Sequence, residues 1–181
     1  MSESDWKNVD GAIIERPRAI TQHPLLDRIY QRHDGMIAEF TAGRTLEIAF
    51  GRHPHPMADV GVEAFPENNQ QIGGTDTVTA DARSLPFANN TFQTVIGRRF
   101  LHHVPATDRQ TPLAEASRVL TGDGTLVLLE GTPGLYRRPT KGAAFKLGVL
   151  GEDNDEYGHL AAGELHDLIR QAGLDIIDSR P

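Results

Sequence analysis

The sequence predicts an α/β fold: a mostly parallel sheet of about six strands flanked by helices. Three observations carry this prediction. Short runs with the two-residue period of strands alternate along the chain with runs of helical period, the pattern of a layered α/β architecture. The run 124–129 is nearly continuous in apolar residues, as suits a strand covered on both faces in a parallel sheet. The chain has 181 residues, which fits one domain with an ample core.

The elements follow in order. Residues 1–20 are polar, carry Asp10-Gly11 and Pro17, and read as an arm with at most a short strand at 12–14. From Pro24 the pattern turns helical, with Leu26, Ile29, Tyr30, His33, Ile37 and Phe40 on one stripe and Gly43 as the stop. This arm and helix, 1–43, precede the sheet domain, 44–181. Segments 45–50, 59–65 and 77–80 read as three strands, and 91–96 and 124–129 as two more. Between the last two, Thr111 caps a helix with Pro112 at its first position and Leu113, Ala116, Ser117 and Leu120 on its inner face. A last helix sets Leu165, Leu168, Ile169 and Ala172 on one stripe, stops at Gly173, and leads to a sixth strand at 174–177. Only nine residues, Gly51 to Asp59, join the first two strands, and two of them are proline, so no ordinary crossover helix fits. An extended link of that length still reaches about 30 Å, enough to cross the sheet and start a parallel neighbour.

Composition narrows the function classes. Net charge is −7, which argues against bulk binding to nucleic acid or an anionic membrane. The absence of cysteine rules out disulfides, thiolate metal sites and a cysteine nucleophile. The first residues lack the apolar segment of a signal peptide, and no apolar run is long enough to span a bilayer. The expectation is a soluble, cytoplasmic protein with no nucleic-acid or membrane partner.

In parallel sheets ligands gather at the carboxyl ends of the strands, near the reversal in strand order. There the chain offers Gly51-Arg52-His53, Glu63, Asp81-Ala82-Arg83, the run 98–104 and Glu130. An acid at the tip of the second strand, such as Glu63, can accept ribose hydroxyls; taken alone, it better suits a solvated strand end. Five of the eight histidines (53, 55, 102, 103 and 159) fall at this edge or in the loop above it. His-Pro-His spacing without a carboxylate pair is a weak metal signal, and no metal is expected. His102 and His103 either close a strand or supply a general base, since imidazole titrates near neutrality. Arg98, Arg99, Arg137, Arg138 and Lys141 form either a solvated rim or a receptor for an anionic acceptor. Residues 131–157, rich in glycine, charge and turn formers, read as a substrate lid.

Several segments match one family in order. Asp81-Ala-Arg-Ser-Leu-Pro-Phe-Ala-Asn-Asn-Thr-Phe92 resembles the D-A-x-x-L-P-F-x-D-N-S-F-D segment of the type 11 group of class I, Rossmann-like, S-adenosylmethionine-dependent methyltransferases. Leu101-His-His-Val104, Ala114-Glu-Ala-Ser-Arg-Val-Leu120, Gly122-Asp-Gly124 and Thr125-Leu-Val-Leu-Leu-Glu130 are similar to its following segments, and the likeness covers roughly 44–178. The resemblance implies S-adenosylmethionine as cofactor, a Rossmann-like sheet, and methyl transfer to a small-molecule acceptor. It implies Glu47 as the acid of the first motif and Gly51 as the close approach to the methionine part. Glu63 would be the ribose acid, Asp81 and Ala82 the adenine contacts, and Arg98 to His103 the neighbours of the methyl group. The family's glycine trio is reduced to Gly51, with Ala49 and His53 at the other places and Phe50 between, so the loop is reshaped and Arg52 or backbone would replace a helix terminus. The alternative is a non-catalytic, methyltransferase-like binding protein with a degenerate cofactor site. A nicotinamide oxidoreductase is weaker, because G-x-G-x-x-G is absent. The family's closing antiparallel strand is expected to be missing, leaving an open edge that would favour a homodimer.

Overall fold

The computed structural model describes residues 24–51, 54–66, 75–131 and 160–180. The chain divides into two units. One comprises Met1–Arg32 with Gly134–Asn154; the other, His33–Pro133 with Asp155–Pro181, holds the whole sheet. The elements are α1 (Pro24–Ala38), β1 (Thr45–Ile48), β2 (Val60–Glu63), β3 (Asp76–Thr79), β4 (Phe92–Arg98), a 3-10 turn (Leu101–His103), α2 (Gln110–Val119), β5 (Leu120–Leu129) and α3 (Ala162–Gln171).

The five strands lie in the order β3-β2-β1-β4-β5, and every pairing is parallel. The chain steps outward from β1 to β3 on one side and from β4 to β5 on the other. The order therefore reverses between β1 and β4, where a Rossmann-like sheet opens a crevice at its carboxyl edge. All four residues of β1 are buried, as the central strand of a sheet covered on both faces must be.

The core joins Leu46, Ile48, Val62, Phe92 and Val95 of the sheet to Leu113, Ala116 and Val119 of α2, with Leu165 and Leu168 of α3 packed at its margin. Leu113 is fully buried, so its truncation to alanine removes contacts worth about 2–5 kcal/mol.

The link from β1 to β2 contains no helix among its described residues, only a turn in which the Ala58 N–H donates to the His55 carbonyl. Asp59 then sets the register. Its N–H donates to the Thr45 carbonyl at 3.0 Å, and its carboxylate accepts the Thr45 N–H at 2.8 Å. One residue thereby aligns the starts of β1 and β2 without the helix that usually does so.

Three local expectations need correcting. Residues 174–177 form no strand, so the sheet has five strands among the described residues where about six were expected; Leu174 packs on the core margin. The helix expected to be capped by Thr111 starts at Gln110, so Pro112 occupies the third helical position, where its missing N–H is still one the helix does not need. The first strand stops at Ile48, because Ala49 turns into a left-handed conformation with φ of 53°.

Candidate functional site

The sequence places Ala49 and Arg99 directly after the two central strands, and both adopt positive φ, 53° in each case. Each still donates its N–H to a neighbouring strand, Ala49 to the Val62 carbonyl and Arg99 to the Leu129 carbonyl. The next residue in each case is a phenylalanine folded back onto the sheet over a glycine. A Cβ on Gly61 would lie 2.7 Å from the Phe50 ring, and one on Gly97 would lie 2.7 Å from the Phe100 ring. Left-handed backbone costs an L-residue about 1–2 kcal/mol, so two such turns beside the reversal of strand order mark strain concentrated at one edge.

Beyond Phe50, Gly51 has φ of 67°, and a Cβ there would meet nothing within 4 Å among the described residues. The Gly51 N–H donates to Glu63 Oε2 at 2.8 Å, and Glu63 Oε1 accepts the Phe65 N–H at 3.2 Å. Glu63 thus stands buried at the tip of β2, with its carboxylate oriented by two backbone donors. At the tip of β3, Asp81 accepts the Arg83 N–H and is gripped by the Arg83 guanidinium at 2.8 Å, which also reaches Asp108 at 3.1 Å. Ala82 lies between them, half-buried.

Glu47 and Arg98 form a separate, inward pair. Glu47 is fully buried and bonds Arg98 Nε at 2.5 Å and the His55 N–H at 2.5 Å. Burial raises its pKa, and the Arg98 guanidinium opposes that rise. Glu47, on β1, therefore ties the link between β1 and β2 to β4. Arg98 spends its charge on this bond, while Arg99 stands exposed. His55 beside them is buried, its Nδ1 accepts the Met57 N–H, and its Nε2 lies 3.6 Å from Asp34. Burial, then Arg98, lowers the His55 pKa, and Asp34 works against them.

His102 and His103 fall in the 3-10 turn after β4, with ring centroids 4.0 Å apart; His102 is buried and His103 exposed. Sequence reasoning noted Glu130 only as the residue after β5. Its carboxylate accepts the N–H groups of Phe100 and Leu101 at 2.9 Å each and meets His102 Nδ1 at 3.3 Å. Arg109, also unsuspected, is buried and donates to the carbonyls of Leu101 and Val104.

The structure thus brings Gly51, Glu63, Asp81 and Ala82 to the tips of β1, β2 and β3, and His102 and His103 to the turn beyond β4. Arg52, His53, Arg137, Arg138, Lys141, His159 and the lid segment from 132 onward lie outside the described residues. Among the described residues, no group of three His, Asp or Glu could hold a metal, and no helix is long and apolar enough to cross a membrane. A polar groove lined by Thr41, Thr45, Asp59 and Thr75 opens at the amino ends of the strands, away from these residues.

Comparison with known proteins follows the same segments. Residues 54–128 match the family model described as a methyltransferase domain. Over 107 residues the chain is 34% identical to the ubiquinone/menaquinone biosynthesis C-methyltransferase UbiE of Desulfotalea psychrophila, covering 51% of this chain and 43% of that one. It spans about half the length of the curated relatives it matches. A S-adenosylmethionine-dependent methyltransferase from Thermotoga maritima shares the fold with a TM-score of 0.63 at 20% identity, over 80% of this chain and 70% of that one. The cyclase SpnF does so with a TM-score of 0.62 at 20% identity, over 83% and 60%.

Proposed function

We propose that this chain is a S-adenosylmethionine-dependent methyltransferase acting on a small-molecule acceptor, because residues 54–128 match the methyltransferase-domain family model and the sheet shares the fold of such enzymes. The observation that carries the proposal is the placement of Glu63 and Asp81 at the tips of adjacent parallel strands, beside a Gly51 at which a Cβ would meet none of the described residues within 4 Å. Two acceptor carboxylates fit a nucleoside, one for ribose hydroxyls and one for an adenine amine. Glu63 would hold the ribose, Asp81 and the backbone of Ala82 the base, and Gly51 with Arg52 the methionine part. When bound, the sulfonium supplies an electrophilic methyl group. The protein's share is alignment and exclusion of water, with His102 or His103 available to take a proton from the acceptor.

The C-methyltransferase relative favours an electron-rich carbon acceptor of the quinol type. Exposed Arg99 supports a negative group on it. Incubation with methyl-labelled S-adenosylmethionine and 1,4-dihydroxynaphthalene tests this. A labelled C-methyl product is expected; cofactor binding without transfer contradicts the quinol-type acceptor.

A second reading keeps the fold without the chemistry, since SpnF shows that this fold also serves a protein called a cyclase. Arg83 covers Asp81, which favours a binding protein whose nucleoside site has closed. Arg83→Ala decides between them: tighter S-adenosylhomocysteine binding is expected if Arg83 merely screens Asp81, and continued absence of binding supports the second reading. A cytoplasmic setting and a homodimer belong to the same proposal. Among the described residues β5 forms one edge of the sheet, the kind of edge at which a second copy can pair; a purely monomeric sedimentation profile contradicts the dimer.

A further inference from the structure

We propose that Glu130 is a positioning residue that holds His102 as the base taking the acceptor's proton; this rests on the methyltransferase reading above. Glu130 stands at the carboxyl end of β5, and its side chain is 2% exposed. One oxygen, Oε1, is committed to the two backbone N–H groups that open the turn carrying His102. The other, Oε2, faces His102 Nδ1 at 3.3 Å. A carboxylate only accepts, so this contact assigns the imidazole proton to Nδ1 and makes Nε2 the basic nitrogen. The same acid therefore fixes the backbone of the turn, the orientation of the ring and its tautomer. Arg109 holds the turn from below through the Leu101 and Val104 carbonyls, so both ends of the peptide segment bearing His102 are fastened. In the proposed step the quinol's O–H bond breaks, its electron pair stays on the acceptor, and the proton bonds to His102 Nε2, giving an imidazolium stabilised by Glu130.

The replacement Glu130→Gln discriminates. The glutamine oxygen can still accept the Phe100 and Leu101 N–H groups, while its amide nitrogen, now a donor, turns towards Nδ1. The ring must then carry its proton on Nε2 and loses its basic face. Nitrogen-15 spectra of histidine-labelled protein, assigned with His102→Gln, should show the Nδ1–H tautomer in the native chain and the Nε2–H tautomer in Glu130→Gln. Methyl transfer to 1,4-dihydroxynaphthalene should lose kcat by roughly a hundredfold, with KM and S-adenosylhomocysteine affinity unchanged. A native Nε2–H tautomer, or unchanged kcat in Glu130→Gln, overturns the proposal. If the native chain does not bind S-adenosylhomocysteine, it is the methyltransferase reading that fails, and the tautomer measurement on the native protein still decides the role of Glu130.

Discussion

The Glu63 carboxylate accepts the Gly51 N–H at 2.8 Å, so the tip of β2 holds the turn that leaves β1. In a fold with an ordinary first crossover, a helix terminus would steady that turn. Here the steadying comes from side chains: Glu63 at the turn, Glu47 on the link and Asp59 at its end. The strain of the turn falls on Ala49, whose φ is 53°. Ala49→Gly should relieve about 1–2 kcal/mol of left-handed strain and lose about 0.5–1 kcal/mol to the freer unfolded chain. Urea unfolding should therefore show a small gain or no change; a loss above about 1 kcal/mol would show that the Ala49 methyl is needed for packing.

Phe50 lies flat against the glycine of the neighbouring strand. Gly61→Ala would bring a methyl within 2.7 Å of the ring and should destabilise by about 1–3 kcal/mol. Phe50→Ala makes room, so the double variant should cost less than the two single variants together. Additive costs in a double-mutant cycle would rule out the contact as the reason for glycine at 61.

Arg118 explains why the segment 85–89 keeps its shape. Its guanidinium donates to the Leu85 and Phe87 carbonyls and to Asn89, while Glu115 accepts the Leu85 N–H at 2.7 Å. Arg118→Ala should cost about 2 kcal/mol, the loss of charged bonds to half-buried carbonyls. The bond from Arg118 is the main cause that lowers the Glu115 pKa. A depressed carboxylate stabilises the fold above its unfolded pKa and ceases to do so as pH falls. Glu115→Gln should accordingly flatten the acid limb of the stability curve below about pH 4.5; an unaltered acid limb would deny the pair this role.

His55 acts in a different window. Burial is the first cause of its lowered pKa, followed by Arg98, so the folded state prefers the neutral ring. Its contribution is present above the unfolded value of 6.5 and is lost as pH falls below it. His55→Asn keeps an acceptor for the Met57 N–H and removes the titration. Denaturant curves from pH 7 to 5 should lose stability more steeply in the native chain than in His55→Asn, and parallel curves would contradict the assignment.

Parallel strands, the missing crossover helix and the acids at the strand tips were legible because each is a matter of local pattern: an apolar run such as 124–129, a nine-residue link with two prolines, an acid closing a short strand. The partners of those residues were not. Nothing local in the sequence says that Glu47 meets Arg98 on β4 and the His55 N–H of the link. Glu115 and Arg118 were visible as part of a familiar segment, but their target lies some 30 residues earlier in the chain. Glu130 stands in the same row of strand ends as Glu63 and Asp81 and was visible there, but its bonds to the Phe100 and Leu101 N–H groups and its contact with His102 were not. The segment 174–177 has the alternation of a strand, yet alternation does not say whether a neighbouring strand is there to pair with it.

Binding of S-adenosylhomocysteine to the native chain and to Glu63→Ala is the most direct test of the cofactor site. At a hundredfold excess over Kd the native protein should gain about 2.7 kcal/mol of stability, read as a rise in Tm. Glu63→Ala should lose that gain while remaining folded. No shift and no calorimetric heat at millimolar ligand, or an undiminished shift in Glu63→Ala, would contradict a S-adenosylmethionine site built on Glu63.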